Sequence, residues 1–195
     1  VNPFEPVRDE MLMRAKVPMT KEEVRWVSVA RLGVQPGDTV WDIGAGTGAV
    51  TFELARKAMD GAVFAVERNA EAVELIAQNR QKLGGFNVHI VPGHAPEVLA
   101  DLPKPDCVFV GGSGGNMRKI IETALIKNPK ARIVVNAIAL ETLQETQRLF
   151  AEFGLQQVEI TQLSAARGKS IGCYTMMTAN NPVFILSGKG DKYGE

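Results

Sequence analysis

Short, almost wholly apolar runs alternate along this chain with segments whose apolar residues recur every three or four positions. The short runs are Thr39-Val-Trp-Asp-Ile43, Ala62-Val-Phe-Ala-Val66, Val88-His-Ile-Val91, Asp106-Cys-Val-Phe-Val110 and Arg132-Ile-Val-Val135. Strands this apolar have no solvent face, so their sheet must be covered on both sides. The segments between them read as helices. Thr20-Lys-Glu-Glu23 has the form of a capping box, with Val24, Val27 and Ala30 behind it on one face. A helix over Val50 to Met59 follows the first strand. Asn69 is placed to cap a helix that runs to Leu83 and stops at Gly84, with Val73, Ile76, Ala77 and Leu83 inward. Met117, Ile120, Ile121, Ala124 and Leu125 share a helical face, as do Leu140, Leu143, Phe150 and Phe153 ahead of Gly154.

Regular strand–helix alternation predicts an α/β fold: a Rossmann-like, doubly wound, mostly parallel sheet with right-handed crossovers. The pattern changes after Gly154. Val158-Glu-Ile160 and Val183-Phe-Ile-Leu186 read as an antiparallel pair closing one edge, so the final strand runs against the rest. Between them, Ala165 to Asn181 reads as a long loop, and long loops are often functional. Residues 1–19 form an arm rich in Pro and Met, and 188–195 a polar tail expected to fray. The whole chain, 1–195, is expected to be one domain.

Composition excludes several classes. Apolar residues at 45% and charged residues at 23% fit a folded globular chain rather than a disordered one. No apolar run approaches the roughly 20 residues of a membrane helix, so no membrane partner is expected. Val1-Asn-Pro-Phe-Glu5 does not resemble a signal peptide. Lys plus Arg and Asp plus Glu are 22 each, which argues against a nucleic-acid partner held by bulk charge. Cys107 and Cys173 are too few and too far apart for a disulfide framework, so two free thiols in the cytoplasm are expected. His89 and His94 have no neighbouring carboxylate or thiolate cluster, so no metal site is expected.

One string carries recognisable chemistry. Asp42-Ile-Gly-Ala-Gly-Thr-Gly48 follows a strand and opens a helix. Glycines there let backbone approach a ligand closely, and a helix start offers free N–H groups. Glu67, at the end of the second strand, is a carboxylate placed to accept from both hydroxyls of a ribose. The glycine spacing differs from the GxGxxG of a dinucleotide site, which leaves room for a pyrophosphate. A second glycine string, Gly111-Gly-Ser-Gly-Gly115, follows the fourth strand and would let a ligand lie against backbone.

The Asp42 string with Glu67 resembles motif I and its partner acid in the class I S-adenosylmethionine-dependent methyltransferases. Pro18-Met-Thr-Lys-Glu-Glu-Val-Arg25, Gly93-His-Ala-Pro96 and Phe109-Val-Gly-Gly-Ser-Gly-Gly115 narrow the likeness. Together they resemble the decarboxylating precorrin C15-methyltransferases of cobalamin biosynthesis, from about Pro6 to Leu186. The resemblance implies a class I methyltransferase fold, S-adenosylmethionine as cofactor and a corrin precursor as substrate. It implies methylation of a meso carbon with loss of carbon dioxide from a ring acetate. It also implies a stand-alone homotetramer.

By the same resemblance, Gly44, Ala45, Gly46, Thr47 and Gly48 would hold the methionine part of the cofactor. Glu67 would hold the ribose, His94 and Ala95 the adenine edge, and Thr20 would reach the cofactor from the arm. A corrin precursor is flat and carries many carboxylates. Asn116, Arg118, Asn136, Arg167 and Lys169 are therefore candidate substrate contacts, with Arg14, Lys16 and Lys119 as further cations. No catalytic acid or base stands out. Two alternatives stay open: a protein isoaspartyl or small-molecule carboxyl methyltransferase, and a cofactor-binding module without turnover.

Overall fold

The computed structural model describes residues 5–191. The outer ends of the expected arm and tail, 1–4 and 192–195, lie outside the described residues. Strands β1 (Thr39–Ile43), β2 (Ala62–Glu67), β3 (Val88–Pro92), β4 (Cys107–Val110) and β5 (Arg132–Ala137) match the apolar runs. Helices α1 (Glu22–Leu32), α2 (Ala49–Lys57), α3 (Ala70–Leu83), α4 (Met117–Lys127) and α5 (Leu140–Glu152) alternate with them. Four more strands close the chain: β6 (Gln156–Leu163), β7 (Ala166–Ile171), β8 (Tyr174–Ala179) and β9 (Val183–Lys189).

The main sheet has seven strands in the order β3-β2-β1-β4-β5-β9-β6. β1 to β5 are parallel, whereas β9 pairs antiparallel with β5 on one side and with β6 on the other. The final strand thus lies inside the sheet, and β6 forms the edge. Successive strand residues feed opposite cores. Val40, Val63, Ala65, Phe109 and Val134 pack on one face with Val29 and Leu32 of α1, Phe52 and Leu54 of α2, and Ile76 of α3. Trp41, Ile43, Val108, Val110, Ile133 and Val135 pack on the other with Met117, Ile120 and Ile121 of α4 and Phe150 of α5. Each large side chain fully buried this way contributes about 1.5–3 kcal/mol.

Strand order reverses between β1 and β4. In open α/β sheets the C-terminal strand ends at such a point leave a crevice. Local signals set the neighbouring turns. Asn69 caps α3 as expected, its side chain accepting from the N–H groups of Glu71 and Ala72. The capping box at Thr20 does not form. α1 begins one residue later, with Lys21 at its N-cap and no side-chain cap bond. The Thr20 carbonyl instead accepts from the buried Arg25 guanidinium (2.7 Å).

Two further expectations are corrected. The stretch from Ala165 to Asn181 is the β7–β8 hairpin, turning where Gly172 takes φ 62°. Both its faces are mostly exposed, so it carries no inside–outside hydrophobic alternation to betray it. The tail is ordered at Gly188 and Lys189, which finish β9, and the Gly190 N–H donates to the Ala131 carbonyl.

Candidate active site

A cavity of about 890 Å³ opens at the C-terminal ends of β1, β2, β4 and β5. Its walls come from distant parts of the chain: arm residues Lys16 to Lys21, the Asp42–Thr47 loop, Val66 to Asn69, His94 and Ala95, the Val110–Met117 loop, and Asn136 to Ala139. Of the cofactor candidates, Thr20, Gly44, Ala45, Gly46, Thr47, Glu67, His94 and Ala95 all line it. Gly48 does not. It is the N-cap of α2 at φ 79°, and a Cβ there would meet the Phe52 ring at 2.7 Å.

The glycines bring backbones together. Gly44 has φ 74°, and a Cβ on it would stand 2.7 Å from the Gly112 carbonyl oxygen. The two glycine strings therefore touch, and only hydrogen atoms fit at their contact. Gly46 has φ 57°, and its Cβ would crowd the Pro18 carbonyl of the arm at 3.1 Å. Both positions are closed to larger residues by conformation and by space.

Glu67 organises this loop. One carboxylate oxygen accepts from the Gly46 N–H (2.9 Å), the other from the Arg68 and Asn69 N–H groups (2.9 Å each). Asp42 lies completely buried beside it and accepts from the Thr51 hydroxyl at 2.5 Å. Burial pushes the Asp42 carboxyl up to about 7; the Thr51 bond opposes this and the Glu67 charge adds to it.

Three buried polar atoms of this lining have no protein partner: Asp42 Oδ1, Thr47 Oγ1 and Asn136 Nδ2. Buried polar groups are nearly always satisfied, so their clustering marks where a polar ligand completes the structure. A cationic amino-acid moiety with a ribose fits this set: carboxylates at Asp42 and Glu67 and the Thr47 hydroxyl.

The arm is fastened above the cavity. Arg25, with no exposed surface, donates to Asp9 (3.2 Å) and to the Val7 carbonyl (2.5 Å), besides Thr20. The Val7 N–H donates to Glu53, and the Asp9 N–H to Glu22. Asn79 of α3 binds Met13 and the Thr47 carbonyl. Sequence reasoning missed Asn79 and Arg25. Asn79 has one signal, a polar side chain on an otherwise apolar helix face, whereas Arg25 shares its buried face with Glu22 and Ser28 and has none.

The substrate candidates divide. Asn116 and Asn136 line the cavity. Asn116 donates to the Ala95 carbonyl (3.2 Å), and Asn136 lies 2.9 Å from the Ser28 hydroxyl. Arg118 and Arg167 are outside the lining and already paired. Arg118 grips Glu152 of α5 through both nitrogens (2.7 and 2.5 Å). Arg167 of β7 grips Glu23 (2.6 and 2.7 Å) and lies 3.3 Å from both Asp9 and Glu22. That grip holds the Glu23 carboxyl below its ordinary value. Lys169 stands exposed on the hairpin, away from the cavity. Among the described residues no helix is long and apolar enough to cross a membrane.

The family model for the precorrin methyltransferase domain matches residues 12–189. The chain belongs to this family. A relative from Pyrobaculum calidifontis named "Probable cobalt-precorrin-6B C(15)-methyltransferase (decarboxylating)" is 43% identical, over 93% of this chain and 94% of its own length. The cobalt-precorrin-6B C(15)-methyltransferase (decarboxylating) of Salmonella typhimurium is 35% identical, over 93% and 94%. A crystal structure from Geobacter metallireducens GS-15, described as a precorrin-6y C5,15-methyltransferase, superposes with a TM-score of 0.89 at 36% identity. The match covers 94% of this chain and 96% of that one. The fold of this precorrin methyltransferase domain is that of the class I methyltransferases, as its motif I implies.

Proposed function

We infer that this chain methylates C15 of a cobalt-precorrin or precorrin and releases carbon dioxide from a ring acetate, with S-adenosylmethionine as methyl donor. One observation carries the reading. Strings far apart in sequence, Pro18–Lys21, Asp42–Thr47, His94–Ala95 and Gly111–Asn116, converge on a single cavity in a chain of this family.

When bound, S-adenosylmethionine supplies an electrophilic methyl group on a cationic sulfur. Residues Gly44 to Thr47 would hold its methionine part, with the Asp42 carboxylate facing the ammonium. Glu67 would hold the ribose, His94 and Ala95 the adenine edge, and Thr20 would close over it. Methyl transfer to carbon asks the protein mainly for placement, with the reacting atoms about 3–3.5 Å apart. Asn116 and Asn136 are the polar groups positioned to orient the macrocycle. The chain's part in decarboxylation is to strip water from the departing carboxylate, while the conjugated ring takes up the electron pair. Cytoplasmic placement fits the two free cysteines. Assembly as a homotetramer is supported by the β7–β8 hairpin, which exposes Ile171, Tyr174, Met176 and Met177.

The test is mass spectrometry of corrin precursors incubated with the protein and S-adenosylmethionine. The expected product gains one methyl and loses carbon dioxide. A methyl gain without that loss would reject a single site for both steps. No corrin product, with cofactor binding intact, would turn the reading to a carboxyl methyltransferase.

A further inference from the structure

The cations that would meet an acidic substrate are not those that stand out in the sequence. Arg118 and Arg167 are held by carboxylates of the protein itself. Three other cations line the cavity: Lys16 on the arm, Lys21 at the N-cap of α1, and Arg68 just after β2. Among the described residues no carboxylate lies within 4.0 Å of the charged side-chain nitrogens of any of them. Lys16 and Arg68 are exposed and Lys21 is half-buried, so they stand where the cavity meets solvent.

Arg68 shows the geometry best. A Cβ added to Gly114 would lie 3.2 Å from its Nη1. The guanidinium therefore reaches from the end of β2 across to the glycine loop after β4. Next to it, Gly112 and Gly115 have open space where side chains would be. The lining acids do not neutralise these cations. Asp42 and Glu67 are buried and engaged by Thr51 and by backbone N–H groups. Glu71, exposed on the first turn of α3, makes no ion pair with them. Past the end of β5 the wall is apolar, with Ile138 64% exposed.

We propose that Lys16, Lys21 and Arg68 form a carboxylate-binding rim that grips acidic side chains at one edge of the substrate while its flat face lies toward Ile138. The rim rests on the proposed function for the identity of the substrate, a polycarboxylate macrocycle. Its own chemistry is more general: ammonium and guanidinium donors, unpaired in the free protein, that carboxylates complete. An Arg fork adds geometry to charge.

The test uses uroporphyrin I, a flat tetrapyrrole with carboxylates around its edge, titrated by fluorescence. It compares wild type with Arg68→Gln, Lys21→Gln and the triple Lys16→Gln/Lys21→Gln/Arg68→Gln variant, at low and high salt. Each single change should weaken uroporphyrin binding about two- to fivefold, and the triple change about tenfold or more, as for partly exposed ion pairs. The triple variant should lose the wild type's salt dependence. Arg68→Lys should keep most of the affinity. S-adenosylhomocysteine affinity by calorimetry should stay within twofold, and unfolding temperature should not move.

Wild type that fails to bind uroporphyrin, or variants that bind it as wild type does, overturn the rim. A parallel loss of S-adenosylhomocysteine binding assigns these cations to the cofactor instead. The two readings fail separately. A wild type that holds uroporphyrin through the rim but methylates no corrin precursor would sink the proposed function and leave the rim standing.

Discussion

Asn79 holds Met13 by both of its backbone groups: its Oδ1 accepts the Met13 N–H at 2.7 Å and its Nδ2 donates to the Met13 carbonyl at 2.9 Å. The same Nδ2 donates to the Thr47 carbonyl (2.9 Å), in the loop that lines the cavity. One buried amide on α3 thus sets the arm and the glycine loop relative to each other. Replacing Asn79 by Ala leaves those backbone groups without partners. The expected loss is about 2–4 kcal/mol of stability. Because Thr47 lines the cavity, S-adenosylhomocysteine affinity should also fall. Calorimetry and thermal unfolding of Asn79→Ala check both, and a variant that keeps wild-type affinity would refute the coupling.

Arg25 is the second fastener, and a costlier one to lose. It is fully buried and holds Asp9 and the carbonyls of Val7 and Thr20. Arg25→Leu takes from Asp9 its buried partner, leaving only the partly exposed Arg167 at 3.3 Å, and strips the Val7 and Thr20 carbonyls of their donor; breaking a buried pair from one side costs about 3–5 kcal/mol. Urea unfolding should show a loss of that order. Protection of residues 7–20 from hydrogen exchange should drop with it, whereas a loss confined to α1 would contradict the fastening role.

Asp42 predicts a pH dependence of stability in the ligand-free protein. Its carboxyl is raised by burial from an ordinary value of 3.8 to about 7. Near pH 3 it is protonated whether the chain is folded or not. Between about pH 4 and 7 the unfolded chain releases this proton while the folded one retains it, so stability falls as pH rises through that window. The slope approaches about 1.4 kcal/mol per pH unit at most. Asp42→Asn lacks this term and can still accept from Thr51. Its stability relative to wild type should therefore grow from pH 4 to pH 7 and then level off. A difference that is flat with pH would show that Asp42 is ionised in the free protein.

The two thiols should differ sharply in reactivity. Cys107 is buried beneath Arg132 and Asp38, and burial pushes its thiol up to about 12. Cys173 is exposed at the turn of the hairpin. Titration with a disulfide reagent at pH 8 should modify Cys173 quickly and Cys107 only after unfolding, because the thiolate is the reacting form. Fast modification of both would contradict the buried environment of Cys107.

The parallel sheet and its helices were legible because burial on both faces writes itself into the chain. Trp41 and Val40 feed opposite cores, so β1 is buried on both faces and, Thr39 and Asp42 apart, apolar. The hairpin was not legible, because Lys169, Thr175 and Met176 sit on largely exposed strands whose pairing is with each other. Thr20 misled for a related reason. Its capping pattern is local, and the winning contact comes from Arg25 through its carbonyl.

The site divides along the same line. The sequence determined where Asp42, Gly44, Gly46 and Glu67 meet, since they lie within one β1–α2–β2 unit whose order is dictated locally. Short range leaves a fixed spacing, and fixed spacing can be read. Tertiary structure alone decided which cations face the cavity. An arginine's charge is the same in any sequence, and only the fold sets whether a carboxylate reaches it first. Glu152 reaches Arg118 and Glu23 reaches Arg167, while Lys16, Lys21 and Arg68 are left facing the cavity, because long flexible side chains pair with whatever the packing brings within about 4 Å.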